Sequence, residues 1–159
     1  MSKKVTSLDL QIAFYNRYSP GFEFMAPNVY LRYDCELDIF GLRKKSGYVD
    51  EIEIKMVKSD YLADFNKTIR LRGVDRLKHE ALKEGLLHPN RFSFLVPEQL
   101  AEKIEVPEYA GLYTYSDKTG RIKHMKRAKL LHKNKLSESL KYKTAKKMAF
   151  RYWRQISYE

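Results

Sequence analysis

Two short runs hold the most chemically loaded residues of the chain: Asp34-Cys35-Glu36-Leu37-Asp38-Ile39-Phe40 and, after a turn, Asp50-Glu51-Ile52-Glu53-Ile54-Lys55-Met56. Side chains alternate across extended backbone, so Asp34, Glu36 and Asp38 share one face and Cys35, Leu37 and Ile39 the other. The second run repeats the pattern, with Glu51, Glu53 and Lys55 opposed to Ile52, Ile54 and Met56. A hairpin whose turn is centred between Lys45 and Ser46 pairs residues whose numbers sum to 91, which sets Asp38 opposite Glu53 and Glu36 opposite Lys55. A slip of one residue would send the two acidic rows to opposite sides of the sheet.

Carboxylates facing one another across strands repel, so such a cluster requires a compensating charge. A divalent cation supplies it. Mg²⁺ takes carboxylate and water oxygens, usually from one or two protein carboxylates completed by the phosphate oxygens of a substrate. Asp38 and Glu53 match that demand. The plainer alternative is an exposed, charge-alternating sheet face on which Lys55 forms a cross-strand ion pair with Glu36.

Asp38 followed on the next strand by Glu53-Ile54-Lys55 resembles the signature of the PD-(D/E)xK nucleases. The order of helix, three-strand meander, helix and further strand over residues 7 to about 96 is also similar to that superfamily's restriction-endonuclease-like core. Leu37 stands where the nominal proline of the signature would be. The continuation over 56–65 is similar to small bacterial or phage DNA-repair and restriction-like members. The resemblance implies metal-dependent hydrolysis of phosphodiester bonds, in DNA and in a repair, restriction or phage setting. Asp38, Glu53 and the backbone carbonyl of Ile54 would hold Mg²⁺ or Mn²⁺, and Lys55 would orient water or stabilise developing charge. Glu36 and Glu51 are second candidates as ligands or supporting groups. A third acid from the first helix is left open, since Asp9 lies where it would complement the helix dipole.

The elements that must position these residues follow from the punctuation. Ser7 is expected to cap a helix through about residue 18 that packs by Leu8, Ile12 and Tyr15. Strands are expected over 29–33, 35–42 and 48–56, then a helix capped by Ser59 carrying Tyr61, Leu62 and Phe65. A basic, partly helical stretch with Arg70, Arg72, Arg76 and Lys78 follows. A buried strand over 91–96, a helix opened by Pro97 to about 104, and a hairpin of 110–115 with 121–125 complete a mixed sheet. A last helix over 137–156 would dock by Leu140, Met148 and Trp153. The expected fold class is therefore α/β, a mixed sheet flanked by helices over 1–135 that the resemblance implies is nuclease-like, with a basic helical extension over 136–159 packed on the same domain.

Charge is segregated along the chain. Residues 1–120 carry 18 basic and 18 acidic side chains, whereas residues 121–159 carry 13 basic and two acidic, which accounts for the net +11. Segregated positive charge suits a polyanion, because each phosphate neutralised releases counterions. Lys58, Lys78, Lys143, Lys146, Lys147 and Arg151 are the expected nucleic-acid contacts, with Tyr142, Phe150, Tyr152 and Trp153 interleaved as a stacking surface. A non-catalytic nucleic-acid-binding module, or a subunit that binds a protein partner, satisfies the same charge, and a homodimer or larger repair complex is compatible with it. His79, His88, His124 and His132 lack paired metal spacing and are placed at the surface. Asp60 and Asp64 are read as helix-dipole or capping residues. One cysteine, Cys35, excludes an internal disulfide. The basic start lacks a continuous apolar core, and the longest apolar runs fall far short of the ~20 residues that span a bilayer, so a soluble cytoplasmic protein without a membrane partner is expected.

Overall fold

The structure is a computed structural model that describes residues 3–31 and 35–158; Tyr33 and Asp34, assigned above to a strand and to the acidic row, lie outside the described residues. Helix α1 (Ser7–Tyr18) has the expected bounds, but its cap is Thr6. The Thr6 side chain accepts from the Asp9 backbone N–H, while the Asp9 carboxylate takes the Thr6 backbone N–H at 2.7 Å and its hydroxyl at 2.8 Å. This reciprocal box satisfies two of the helix's orphan donors. Asp9 is thereby occupied, and its carboxyl is held below the usual range chiefly by the Thr6 backbone bond. The buried stripe of α1 is Leu10 and Phe14, whereas Leu8, Ile12 and Tyr15 are exposed, contrary to the expected packing face.

A 3₁₀ turn over Ser19–Gly21 leads into β1 (Phe22–Tyr30), which is far longer than the short strand expected. Strands β2 (Glu36–Arg43) and β3 (Val49–Ile54) form the anticipated hairpin, and the pairs Leu42↔Val49, Gly41↔Asp50, Phe40↔Glu51 and Ile39↔Ile52 all sum to 91. Helix α2 (Lys58–Asp64) follows, with Val57 rather than Ser59 at its N-cap and no side-chain cap bond. The basic stretch is a hairpin instead of a helix: β4 (Thr68–Leu71) and β5 (Val74–Leu77) turn at Arg72 and Gly73, both at positive φ (51° and 79°). Two successive left-handed residues match the twist of the flanking strands, which is why such a tight hairpin closes here.

Helix α3 (Lys78–Lys83), β6 (Arg91–Pro97), α4 (Glu98–Ala101), β7 (Gly111–Tyr115), β8 (Ile122–Lys126) and α5 (Glu138–Ser157) complete the chain. Helix α4 stops short of the expected residue 104. The main sheet has the order β1-β2-β3-β6-β7-β8, with β3, β6 and β7 parallel and the remaining pairs antiparallel. The fold is thus α/β, with a six-stranded mixed sheet flanked by helices and a C-terminal helix.

Alternation assigns each face its cover. Ile39, Ile52, Ile54 and Leu95 pack under α1 with Leu10 and Phe14, and Met56 joins them. Phe92, Phe94 and Val96 meet Tyr61, Ala81, Leu82 and Leu100 on the other face. On that second face α5 covers β1 and β2 through Leu140, which packs with Ala26, Val29, Phe40, Leu42 and Val49, while Met148 lies partly buried against them. Trp153 does not dock; it is 63% exposed. Among the described residues no helix is long and apolar enough to cross a membrane.

Candidate active site

The ladder between β2 and β3 ends at Ile39↔Ile52, and the site forms where the strands part. Arg43 N–H donates to the Tyr48 carbonyl at 2.8 Å, which makes the odd-numbered residues of β2 the hydrogen-bonded ones. A continued ladder would therefore give the Ile54 N–H to the Leu37 carbonyl. Instead the Asp38 Oδ2 accepts it at 2.7 Å, and the Asp38 carbonyl is held by Gln11 Nε2 at 2.9 Å. The Asp38 carboxylate is thus pinned beside the end of β3. The regular alternation expected upstream breaks here too, because Cys35, Leu37 and Ile39 enter three different core clusters.

Glu51 and Glu53 point to the face covered by α2, α3 and the β4–β5 hairpin, and they are buried at 1% and 3% exposure. The exposed acidic face considered above is therefore replaced by a buried ionic network. Lys55 Nζ lies 2.9 Å from both Glu53 Oε1 and Asp64 Oδ1. Lys67 Nζ lies 3.2 Å from Glu53 Oε1 and 3.0 Å from Asp64 Oδ1. Lys78 Nζ lies 2.5 Å from Glu51 Oε1 and 3.6 Å from Glu53 Oε2. His79 bridges Asp64 Oδ2 at 2.5 Å and the Tyr109 hydroxyl at 2.6 Å.

Four carboxylates (Asp38, Glu51, Glu53, Asp64) thus meet three ammonium groups, and the electrostatics decide which charges persist. Burial would raise the Asp64 pKa, but His79, Lys55 and Lys78 together hold it well below the carboxylate range. Burial would lower the Lys55 pKa, but Glu53 and Asp64 raise it, so the amine stays charged. Lys67 is pushed to about 12 in the same way, and Lys78 well above its ordinary value by Glu51 and Glu53. Asp38 is the exception: burial and then the charge of Glu53 push it up to about 6, against the Ile54 bond and the pull of Lys55.

That elevation has a measurable sign. A carboxyl whose folded pKa lies above its unfolded value favours folding only at low pH, and that contribution is lost as pH rises from about 3.8 through about 6. Asp38→Asn, which retains an acceptor for Ile54, is therefore expected to stabilise the chelator-treated protein above pH 6 by about 1–3 kcal/mol and to change little below pH 4. Thermal unfolding across pH checks this; a destabilised variant at pH 7.5 contradicts it.

The residues present fit a divalent cation on two observations. Glu53 Oε2 is buried without a hydrogen-bond partner among the described residues, and burial together with the charge of Glu53 disfavours the ionised form of Asp38 near it. The Ile54 carbonyl shares the direction of its N–H, toward Asp38, because both groups of one extended residue point the same way. Among the described residues no group of three or more His, Cys, Asp or Glu is placed to hold a metal, but Mg²⁺ commonly needs only one or two protein carboxylates.

The other expected site residues divide clearly. Glu51 supports the site by neutralising Lys78. Glu36 lies beside the Tyr30 hydroxyl and raises its pKa, on β2 away from the network. Lys78, expected at the nucleic acid, is 1% exposed and ion-paired, so it offers no contact surface. Lys147 and Arg151 donate to the Tyr30, Pro27 and Asn28 carbonyls of β1, which diverts them from a free cationic face. Lys58, Lys143 and Lys146 are exposed. His79 and Asp64 are buried centres of the network instead of surface and capping residues. Asp64 could have been flagged, since it follows the buried Tyr61 by three positions and so occupies the inward stripe of α2.

No protein-family model matches the chain, and no curated protein matches it either. A solved structure of a protein of unknown function from Silicibacter pomeroyi is similar, with a TM-score of 0.62 at 17% identity over 97% of this chain and 91% of that one. At that identity the likeness is one of fold.

Proposed function

We propose that the chain is a Mg²⁺- or Mn²⁺-dependent nuclease of the PD-(D/E)xK type. The observation that carries this reading is the convergence of Asp38, Glu53 and the Ile54 backbone where β2 and β3 part, with the Lys55 amine 2.9 Å from Glu53. Asp38, Glu53 and the Ile54 carbonyl would hold the ion, which supplies Lewis-acid polarisation of the phosphoryl group when bound. Lys55, kept charged by Glu53 and Asp64, holds a donor for the attacking water or for charge developing on the phosphate. Asp64 fixes Lys55 and is itself held by His79, which the Tyr109 hydroxyl holds in turn, so these are positioning residues. Incubation with linear, circular, branched and single-stranded DNA and RNA should show cutting that requires Mg²⁺ or Mn²⁺ and stops with chelator. No cutting of any substrate with either ion refutes the proposal.

A second reading, a nucleic-acid-binding module that does not cut, draws support from Lys55 and Lys67, which each already pair with both Glu53 and Asp64. Both readings require phosphate contacts, and α5 offers exposed ones. Lys143→Glu with Lys146→Glu should weaken DNA binding and lower the slope of log affinity against log salt by about 2. Absence of nucleic-acid binding at low ionic strength would remove both readings and favour a protein partner.

A further inference from the structure

At the other end of β3 from this site, and on the opposite sheet face, lies a cavity of about 520 Å³ beyond the end of α1. Its size falls in the ~300–1,000 Å³ range of small-molecule sites. The wall has three chemically different parts. Arg43, Arg91 and Arg127 line it with guanidinium groups. Arg43 is committed to Asp50 Oδ2, with contacts at 2.9 and 2.5 Å, whereas neither Arg91 nor Arg127 has a carboxylate partner within ion-pair distance among the described residues. Tyr18, Tyr113 and His124 line it with rings; Tyr113 and His124 are stacked 4.3 Å apart, and Tyr18 meets Tyr113 edge-on at 5.3 Å.

The third part is Asp50, whose position is informative. It is 3% exposed, and its Oδ1 is buried without a hydrogen-bond partner among the described residues. Buried acceptors are nearly always satisfied, so an orphan oxygen on a residue that lines the cavity leaves an acceptor for a donor that enters there. Two unpaired guanidiniums suit a phosphate dianion better than a single carboxylate. The rings suit a planar heterocycle. We infer that this cavity binds a nucleoside monophosphate unit, with phosphate at Arg91 and Arg127, the base against the aromatic wall, and a base N–H on Asp50 Oδ1.

The inference goes beyond the nuclease reading and stands apart from it. Asp50 and Glu53 lie three residues apart on opposite faces of β3, and binding is measurable without any metal. Calorimetric titration of the full chain in chelator, at low salt, would use the four deoxynucleoside 5′-monophosphates, the matching nucleosides and inorganic phosphate. At least one monophosphate is expected to bind ten-fold or more tightly than phosphate or its nucleoside. Arg91→Gln with Arg127→Gln should weaken it at least ten-fold while thermal unfolding is retained, and Glu53→Gln should leave it unchanged. A 5′-phosphorylated oligonucleotide that binds more tightly than the monophosphate would assign the site to a strand end; the reverse order would assign it to free nucleotide, and both support the inference. Equal affinity for phosphate and monophosphate overturns it, as does affinity unaffected by the paired arginine substitutions.

Discussion

Lys55→Ala, Glu53→Ala and Asp38→Ala are each expected to reduce Mg²⁺-dependent cutting by roughly 10³-fold, equivalent to ~4 kcal/mol of lost transition-state stabilisation. The three losses have different origins. Lys55→Ala removes the ammonium that Glu53 and Asp64 keep charged, and leaves those acids with Lys67 as their remaining shared cation. Glu53→Ala removes the buried oxygen that lacks a hydrogen-bond partner among the described residues, while Lys55 keeps Asp64. Asp38→Ala also strands the Ile54 N–H, so its unfolding temperature must be followed beside its activity. Because the Asp38 carboxyl of the metal-free chain is pushed up to about 6, protons compete with the ion for it, and activity at subsaturating Mg²⁺ should decline as pH falls through that region. Single-turnover cutting by the three folded variants decides the matter. Unchanged cutting in all of them would dismiss the assignment.

A Lys78→Met substitution should cost the fold about 3–5 kcal/mol, since it leaves Glu51 as a buried charge with no cation at contact distance. Both side chains are almost wholly inaccessible, and Glu51 has burial working against its charged form. A loss of that size is a large share of the ~5–15 kcal/mol that stabilises a typical domain. Removing both charges together avoids the penalty, because the cost of desolvating an ion pair can exceed its attraction. Glu51→Leu combined with Lys78→Met should therefore recover most of the stability lost in the single variant. Urea unfolding of the wild type, the Lys78→Met and Glu51→Leu single variants and the double variant measures this, and additivity of the two single losses would show that the charges are not coupled.

The hairpin was legible because two constraints agreed: acid and apolar residues alternate in both strands, and the Arg43–Gly47 segment closes a turn that fixes their register. Glycine at 47, at φ 68°, supplies the left-handed residue that the turn needs. The bounds of α1 were legible for a similar reason, but its inward face was not. The helix carries two apolar stripes, Leu8-Ile12-Tyr15 and Leu10-Phe14-Tyr18, and only the sheet beneath selects the second. β1 looked shorter because Pro27 interrupts it, yet Pro27 lies on an edge strand where a missing donor is tolerated. The β4–β5 turn was hidden by Arg72, a residue type that seldom adopts positive φ.

Half of the ionic network was readable and half was not. The hairpin register brings Asp38 near Glu53 and Lys55, but the ladder ends at Ile39↔Ile52, and the contact that holds Asp38 there is its side-chain bond to the Ile54 N–H, which alternation does not foretell. Asp64, Lys67, Lys78 and His79 arrive from other elements, and a lysine or histidine in a helix is ordinarily assigned to solvent. Lys78 is drawn inside by a carboxylate 27 positions away, and only the packing of α3 on the sheet reveals the pairing.

The way α5 lies on β1 has a consequence for solution behaviour. An unpaired border strand offers its backbone to any other extended chain, which is how sheets grow into aggregates. Lys147 and Arg151 hold α5 on the Tyr30, Pro27 and Asn28 carbonyls and set positive charge along the border strand, so strands from other molecules meet a covering helix and mutual repulsion. Shortening the chain before residue 138 would strip away this guard together with the apolar cover from Leu140, and the product should self-associate into β-rich assemblies.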